Sequence, residues 1–523
     1  MSLLSTLGAG RRAALLLCLA ALAAAALRLP GLAERPMHAD EAVLADKLGT
    51  LLEKGEYRYD PEGYHGPALL YLGLIPPRLA GVKRYADLDE RLLRFTPAAA
   101  GILLAATPLL LAPAVGWTAA GWAALLLAVS PSFVYYSRYF IPETLLVLFT
   151  ALFLSAGWRW LCSGRLVWAL AAGASAGLMA ATKETAVLAL AAALAALTPW
   201  LGRWKQVRRS QAGFAVLAGL AAAAVLLSSF GQNPTGPWDY LRSYFATYLG
   251  RGLEPGPHSH PWRYYFGLLL WFRQGAGPAF TEAAILALAA AGAWTAWWSG
   301  RPFLRFLLLY AALLSGLYSL IPYKTPWCLL SFHYAWVLLA GLGAARLVEA
   351  PSGRRTAVVW VLLAAATAHL AWQSHLAAFR YAADPRNPWV YAHTTPGVFR
   401  IRDGLEGLAL AHERGHAMPV QIVSNTNPWP LPWYLRRWPN VQWWTGAPAK
   451  AEPAPVVLCT AELEPAVAAW LYESRPPGQR ELYMRIFREP VFLRPGVEIR
   501  GYAVKSLWDR HQAGPPSGGP TSH

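Results

Sequence analysis

The sequence predicts a polytopic α-helical membrane protein of about eleven spans with a small α/β domain at its C-terminal end. Of its 523 residues, 55% are hydrophobic and only 14% charged, where soluble proteins carry roughly 25% charged residues. Eleven apolar runs reach the roughly 17–25 residues that cross a bilayer, and the basic residues between them fall on alternate loops. The shortage of charge excludes a disordered or nucleic-acid-binding tail protein. A formal charge of +17 and a pI near 9.8 come without any nucleic-acid motif, and basic membrane loops account for them better. Cys18, Cys162, Cys328 and Cys459 are scattered, with no metal-ligand spacing and no readable disulfide framework.

The first run, Ala13 to Leu29, follows Arg11 and Arg12 and resembles a signal peptide. No small-residue cleavage site closes it, so it reads as an uncleaved first span. Further spans are expected near 94–112, 117–136, 144–161, 166–182, 185–201, 211–230, 278–298, 303–321, 327–347 and 356–373. The stretch 67–82 is short and carries Pro76, Pro77 and Arg78, so it reads as interfacial or re-entrant. One set of loops then holds Arg11 and Arg12, Arg165, the cluster 203–209, Arg301 with Arg305, and Arg346 with Arg354 and Arg355. Positive-inside bias places that set in the cytoplasm; counting 67–82 as a span would send it outside. The expected location is the plasma (inner) membrane, multi-pass. The exterior then receives 31–94, 137–143, 182–184, 230–277, 322–327 and everything after about 375.

The membrane domain is expected over 1–375, with exterior loops at 31–94 and 230–277. An exterior α/β domain is expected over 376–512, because apolar strands at 420–423 and 455–458 alternate with helical patterns near 397–414 and 462–473. The tail 513–523 reads as disordered. The aromatic loop 238–272 reads as an interfacial belt. Trp429, Trp433, Trp438, Trp443 and Trp444 are expected to pack the soluble domain rather than stack on sugars.

The strongest local signal is His38-Ala39-Asp40-Glu41 in the first exterior loop, opening an amphipathic helix lined by Leu44, Leu48, Leu51 and Leu52. Asp40 can be the helix N-cap, with Glu41 favourable at the positive helix end. Alternatively the pair supplies a general base or a metal ligand at the membrane surface. Further motifs on the exterior loops are Tyr57-Arg58-Tyr59-Asp60-Pro61, Tyr64-His65-Gly66-Pro67, Ser137-Arg138-Tyr139 with Glu143, Thr182-Lys183-Glu184, Tyr323-Lys324-Thr325-Pro326-Trp327 and Pro430 to Arg436.

These residues resemble the GT-C glycosyltransferase superfamily, which includes protein O-mannosyltransferases and aminoarabinose transferases. The resemblance extends over most of the chain and is nearest to a subgroup of archaeal and bacterial membrane proteins described as flippase-activity-associated. It implies a GT-C-like fold and a donor sugar carried on a polyprenyl phosphate or diphosphate. Transfer to a glycan, lipid or protein acceptor would take place on the exterior face, where the topology independently puts every motif.

Such a reaction needs a base for the acceptor hydroxyl and cations for the departing phosphate. Asp40 is the expected base, with Glu41 orienting an acceptor or a metal. Arg138, Lys183 and Lys324 are the expected donor-phosphate contacts, since all three are cations at exterior span ends. Two of them also have a structural reading: Arg138 as a snorkelling interfacial side chain, Lys183 with Glu184 as a polar pair. Tyr64, His65, Glu143, Glu184 and Tyr323 are expected to meet acceptor or substrate. Asp40, Glu41, His65 and Glu143, with His38, offer N and O ligands to a divalent metal ion; no organic cofactor is expected. The competing function is a non-catalytic partner or a translocator of lipid-linked glycans. Translocators place polar groups at the bilayer midplane, whereas here they gather at one face.

Overall fold

A computed structural model describes residues 3–60, 65–203, 208–248, 250, 252, 256, 258–349, 354–448, 451–473 and 476–514. The chain divides into two units. The first holds Met1–Leu32, Lys47–Lys83 and Asp89–Tyr391, and the second Ala33–Asp46, Arg84–Leu88 and Ala392–His523.

A backbone surrounded by hydrocarbon must satisfy its own N–H and C=O groups, so the apolar runs become helices. In chain order these are α1 (Leu3–Arg28), α2 (Ala39–Lys54), α3 (Glu90–Ala106), α4 (Trp117–Val129), α5 (Pro131–Tyr136), α6 (Glu143–Ser163) and α7 (Leu166–Ala180). They continue with α8 (Ala186–Leu197), α9 (Arg209–Leu227), α10 (Ala283–Trp298), α11 (Pro302–Leu320), α12 (Leu330–Glu349) and α13 (Arg354–His375). Among the described residues, seven helical stretches are long and apolar enough to cross a membrane. The expected spans at 117–136, 166–182, 185–201 and 278–298 are shorter apolar helices, and so is Ala68–Leu79 in the stretch read as re-entrant. The chain is a multi-pass α-helical membrane protein.

Two departures from the sequence reading have local causes. The run 117–136 is two helices, because Ser130 is extended (φ −67°, ψ 123°) and Pro131 starts a new helix. The stretch 67–82 breaks into Ala68–Gly73 and Ile75–Leu79, with Pro76 and Pro77 in the first turn of the second piece. The core of the first unit centres on α12, whose Gly343 meets Gly292 of α10. A Cβ on Gly292 would lie 1.8 Å from the Leu339 carbonyl oxygen, so backbone approaches backbone there. Outward-facing Val216, Leu217, Leu220, Val361 and Leu362 stay exposed, as lipid contact requires.

Two buried arginines finish helices at one end of this unit, and a third anchors the turn that follows α1. Arg28 donates to the carbonyls of Leu127 and Ala128 at 3.0 and 2.8 Å, closing α4. Arg138 donates to Arg28, Pro30 and Gly31 carbonyls at 2.9, 2.7 and 3.1 Å, closing α1. Arg94 donates to the Leu32 carbonyl at 2.6 Å. A helix C-terminus leaves carbonyls unpaired and carries partial negative charge, which a guanidinium fork answers on both counts.

The second unit contains α14 (Gly397–Ala411), α15 (Glu464–Glu473), α16 (Lys505–Ala513) and a six-stranded sheet. Its strands are β1 (Val420–Val423), β2 (Val441–Trp444), β3 (Val456–Thr460), β4 (Tyr483–Arg485), β5 (Val491–Arg494) and β6 (Val497–Val504). The order is β2-β1-β3-β6-β4, with β5 also on β6; β1 is parallel to β2 and β3, and β6 runs antiparallel to β3. β1 and β3 are buried at every position, as central strands covered on both faces are. Trp433 and Trp438 are buried, as expected of packing residues, while Trp443 and Trp444 on edge strand β2 are exposed. Residues 515–523, most of the tail expected to be disordered, lie outside the described residues.

Candidate active site

In the first unit, α6, α8, α10 and α12 begin at the end where α7, α9 and α11 finish. The turns 137–143, 182–184 and 321–327 therefore gather there. A buried Lys–Glu pair and a half-buried His–Glu pair occupy that end. The Lys183 ammonium is bonded to Glu143 Oε1, and His65 Nδ1 lies 2.7 Å from Glu184 Oε2. The chain neighbours Lys183 and Glu184 join the two pairs into one ionic cluster. Its placement depends on Gly66: a Cβ there would stand 2.2 Å from the Ala181 carbonyl oxygen, to which Ala68 N–H donates at 3.0 Å. Burial opposes the charge of Glu184, but the neighbouring His65 and its hydrogen bond outweigh it and hold the carboxyl below its usual range. Burial likewise opposes the Lys183 charge, and Glu143 reverses the balance, raising that ammonium above its ordinary value. Glu143 Oε2 and Glu184 Oε1 are buried without a hydrogen-bond partner among the described residues.

Lys324 lies in a second group at the same end. Its ammonium donates to the His260 carbonyl at 3.0 Å and to the Ile321 carbonyl, stapling 258–260 to 321–324. Burial lowers its pKa. Tyr323 stands 5.0 Å, centroid to centroid, from His258, whose Nδ1 lies 2.6 Å from the Tyr391 hydroxyl. Arg138 is 5% exposed, lies 4.4 Å over the Phe379 ring and is engaged by the carbonyls that end α1. Tyr64 lies outside the described residues.

The Asp40-Glu41 motif belongs to the second unit, and its helix cap differs from the expectation. The N-cap is His38, not Asp40: His38 Nδ1 accepts from the Asp40 N–H at 3.1 Å, and Glu41 accepts from the His38 N–H at 3.0 Å. This reciprocal bonding is a capping box, with Glu41 at its third helical position. Glu41 is fully buried and both of its oxygens lie 3.1 Å from Arg35. It is therefore a structural carboxylate rather than one open to an acceptor or a metal. Asp40 keeps 34% of its side chain exposed, with His38 Nδ1 3.7 Å from its Oδ2.

The residues expected to hold a metal are divided between the two units, Asp40 and Glu41 in the second and His65 and Glu143 in the first. Glu143 is taken by Lys183, His65 by Glu184 and Glu41 by Arg35. Among the described residues, no group of three or more His, Cys, Asp or Glu could hold an ion.

Sequence reasoning missed one buried centre. Glu282, at the N-cap of α10, accepts from Ser130 Oγ at 2.5 Å and Ser132 N–H at 2.9 Å, and lies 3.0 Å from His333 Nε2. It thereby caps α5, the helix that runs into the turn bearing Arg138. The available signals were a carboxylate at the edge of an apolar run and a histidine inside one.

Residues 87–230 match the family model described as dolichyl-phosphate-mannose-protein mannosyltransferase. No curated protein matches the chain. Among solved structures, the chain is similar to ArnT from Cupriavidus metallidurans bound to undecaprenyl phosphate. Identity is 15% over 94% of this chain and 98% of that one, with a TM-score of 0.66. It is also similar to the archaeal oligosaccharyltransferase AglB from Archaeoglobus fulgidus in complex with an inhibitory peptide and a dolichol-phosphate. There identity is 14%, coverage 89% and 71%, and the TM-score 0.56. The Archaeoglobus fulgidus oligosaccharyltransferase in complex with Zn and sulfate gives 16% identity, coverage of 87% and 69%, and a TM-score of 0.55. The likeness to ArnT runs nearly from end to end, so the chain shares the fold of that structure.

Proposed function

We propose that the protein is a membrane glycosyltransferase that moves a sugar from a polyprenyl-phosphate or polyprenyl-diphosphate donor to an acceptor on the exterior face. The observation that carries this reading is the pair of buried ammonium groups at one end of the helical unit. An ammonium has three N–H donors. Lys183 gives one to Glu143, and Lys324 gives two to carbonyls, so both retain capacity for a phosphate oxygen. Two structures of this fold, ArnT and AglB, carry undecaprenyl phosphate and dolichol-phosphate respectively, lipids of the donor's class.

In the proposed reaction the acceptor oxygen forms a bond to the anomeric carbon while the bond from that carbon to the phosphate oxygen breaks. Asp40, the exposed carboxylate of its motif, takes the acceptor's proton. Lys183 and Lys324 stabilise the charge left on phosphate. His65, Glu143, Glu184, Tyr323 and Tyr64 meet the sugar or acceptor, and Arg138 serves the scaffold. No step is assigned to a metal ion. The same reading puts this end of the unit outside the plasma (inner) membrane, following the positive-inside distribution of Arg165, Arg301 and Arg346.

The test supplies labelled polyprenyl-phosphate sugars to the purified protein in liposomes. Product is expected with the wild type and none with Asp40→Asn, which should insert normally. Transfer at the wild-type rate by Asp40→Asn would refute the base. Movement of intact lipid without product would replace the enzyme by a translocator.

A further inference from the structure

At the other end of the first unit, away from Lys183 and Lys324, lies a cavity of about 490 Å³ that the reaction leaves unused. The first turns of α4 and α11 and the last turns of α10 and α12 enclose it, with Arg301 and Arg346 in its wall. Both arginines are exposed to it rather than neutralised by a carboxylate, since Arg301 donates to the Ala114 carbonyl and neither forms an ion pair among the described residues. Glu349 is the single acidic residue of the lining, so the wall charge is two cations less one anion, +1.

Two helix starts (α4 and α11) and two helix ends (α10 and α12) meet at the cavity, so their dipoles offset one another and the arginines set its charge. Trp117, Trp294 and Trp298 line the same cavity and are 58%, 70% and 67% exposed, which is where tryptophan sits at a headgroup boundary. Basic cavities between spans at that level suit lipid headgroups.

We propose that this cavity binds the phosphodiester of a monoanionic phospholipid from the adjoining leaflet, with Arg301 and Arg346 as its cationic walls. A net wall charge of +1 matches one phosphodiester, and guanidinium forks bind phosphate oxygens in pairs. The acyl chains leave along the tryptophans.

The test uses the full chain in mixed micelles and counts retained lipid by native mass spectrometry, with phosphatidylglycerol and phosphatidylcholine offered together. The wild type should retain phosphatidylglycerol preferentially. Arg301→Gln/Arg346→Gln should weaken that retention by about tenfold, the scale of losing charge-assisted hydrogen bonds. Equal retention by wild type and double variant overturns the site. Inorganic phosphate at millimolar level is the second arm: if it displaces the lipid completely and binds as well alone, the site is one for a soluble anion and the lipid assignment fails. Glu349→Gln keeps both arginines and raises the wall charge to +2, so it decides the matter even should the double variant not fold. Its preference for phosphatidylglycerol must rise, and an unchanged or lower preference overturns the proposal.

Discussion

Replacing Glu282 by alanine tests how the fold supports its site. The carboxylate holds three partners, Ser130 Oγ, Ser132 N–H and His333 Nε2, and it and His333 are both 0% exposed. Without it, the Ser132 N–H loses its acceptor at the start of α5. The His333 ring, whose Nδ1 already lacks a partner among the described residues, loses its only bonded nitrogen. Each stranded polar group costs about 1–3 kcal/mol, and breaking a buried pair from one side costs about 3–5 kcal/mol in total. Glu282→Gln keeps an acceptor for Ser132 and should cost about 1–3 kcal/mol. Removing both partners in Glu282→Leu/His333→Leu should be milder than the alanine variant, because no charge is left alone. Denaturation of the protein in mixed micelles by sodium dodecyl sulfate, followed by intrinsic tryptophan fluorescence, measures all three. An alanine variant within about 1 kcal/mol of wild type would show that the buried bonds are not what holds α5 in place.

Arg138→Lys should lose about 1–3 kcal/mol in the same denaturation assay, because an ammonium cannot span the carbonyls of Arg28, Pro30 and Gly31 as a planar fork does; equal stability would argue against the capping role. Gly66→Ala must displace the 181–184 turn, since its Cβ would lie 2.2 Å from a carbonyl oxygen, and a loss of about 1–3 kcal/mol is expected. The depressed carboxyl of Glu184 gives a pH dependence of fixed sign. Its stabilising contribution is complete above the ordinary carboxylate value of about 4.3 and fades as pH falls toward its lower folded-state value. Glu184→Gln should flatten the acid limb of the stability profile, and an unchanged limb would remove the ion pair with His65 from the account.

The spans were legible because burial in lipid leaves a long apolar run, and each of the eleven runs is helical. Boundaries were less so: Pro131 inside an apolar run reads as a tolerated proline, yet it starts a separate helix because Glu282 caps it from 150 residues away. The cations Arg138, Lys183 and Lys324 could be placed at span ends from sequence, but not their partners. Lys183 meets Glu143 across 40 residues, and nothing local in either motif announces the pairing. The capping box at His38 was hidden for another reason: histidine is not among the favoured N-cap types, so Asp40 drew the assignment. In the second unit the buried strands β1 and β3 stood out as apolar runs, whereas β2, β4 and β5 are short and partly exposed and left no clear period.

The arginines buried at helix ends and in the turn after α1 also change what the protein's net charge means. Formal counting gives +17 and weighs every arginine alike, yet Arg28, Arg94 and Arg138 are 1%, 1% and 5% exposed. Each is pressed against backbone carbonyls instead of facing solvent, so counterions cannot reach it and added salt cannot weaken what it does. Arg165, Arg208, Arg209, Arg301 and Arg346 at the opposite end are exposed and exchange freely with the ionic atmosphere. The two ends of one helical bundle therefore respond to ionic strength in different ways: one is held by charges locked into its framework, the other carries charges that act as a surface.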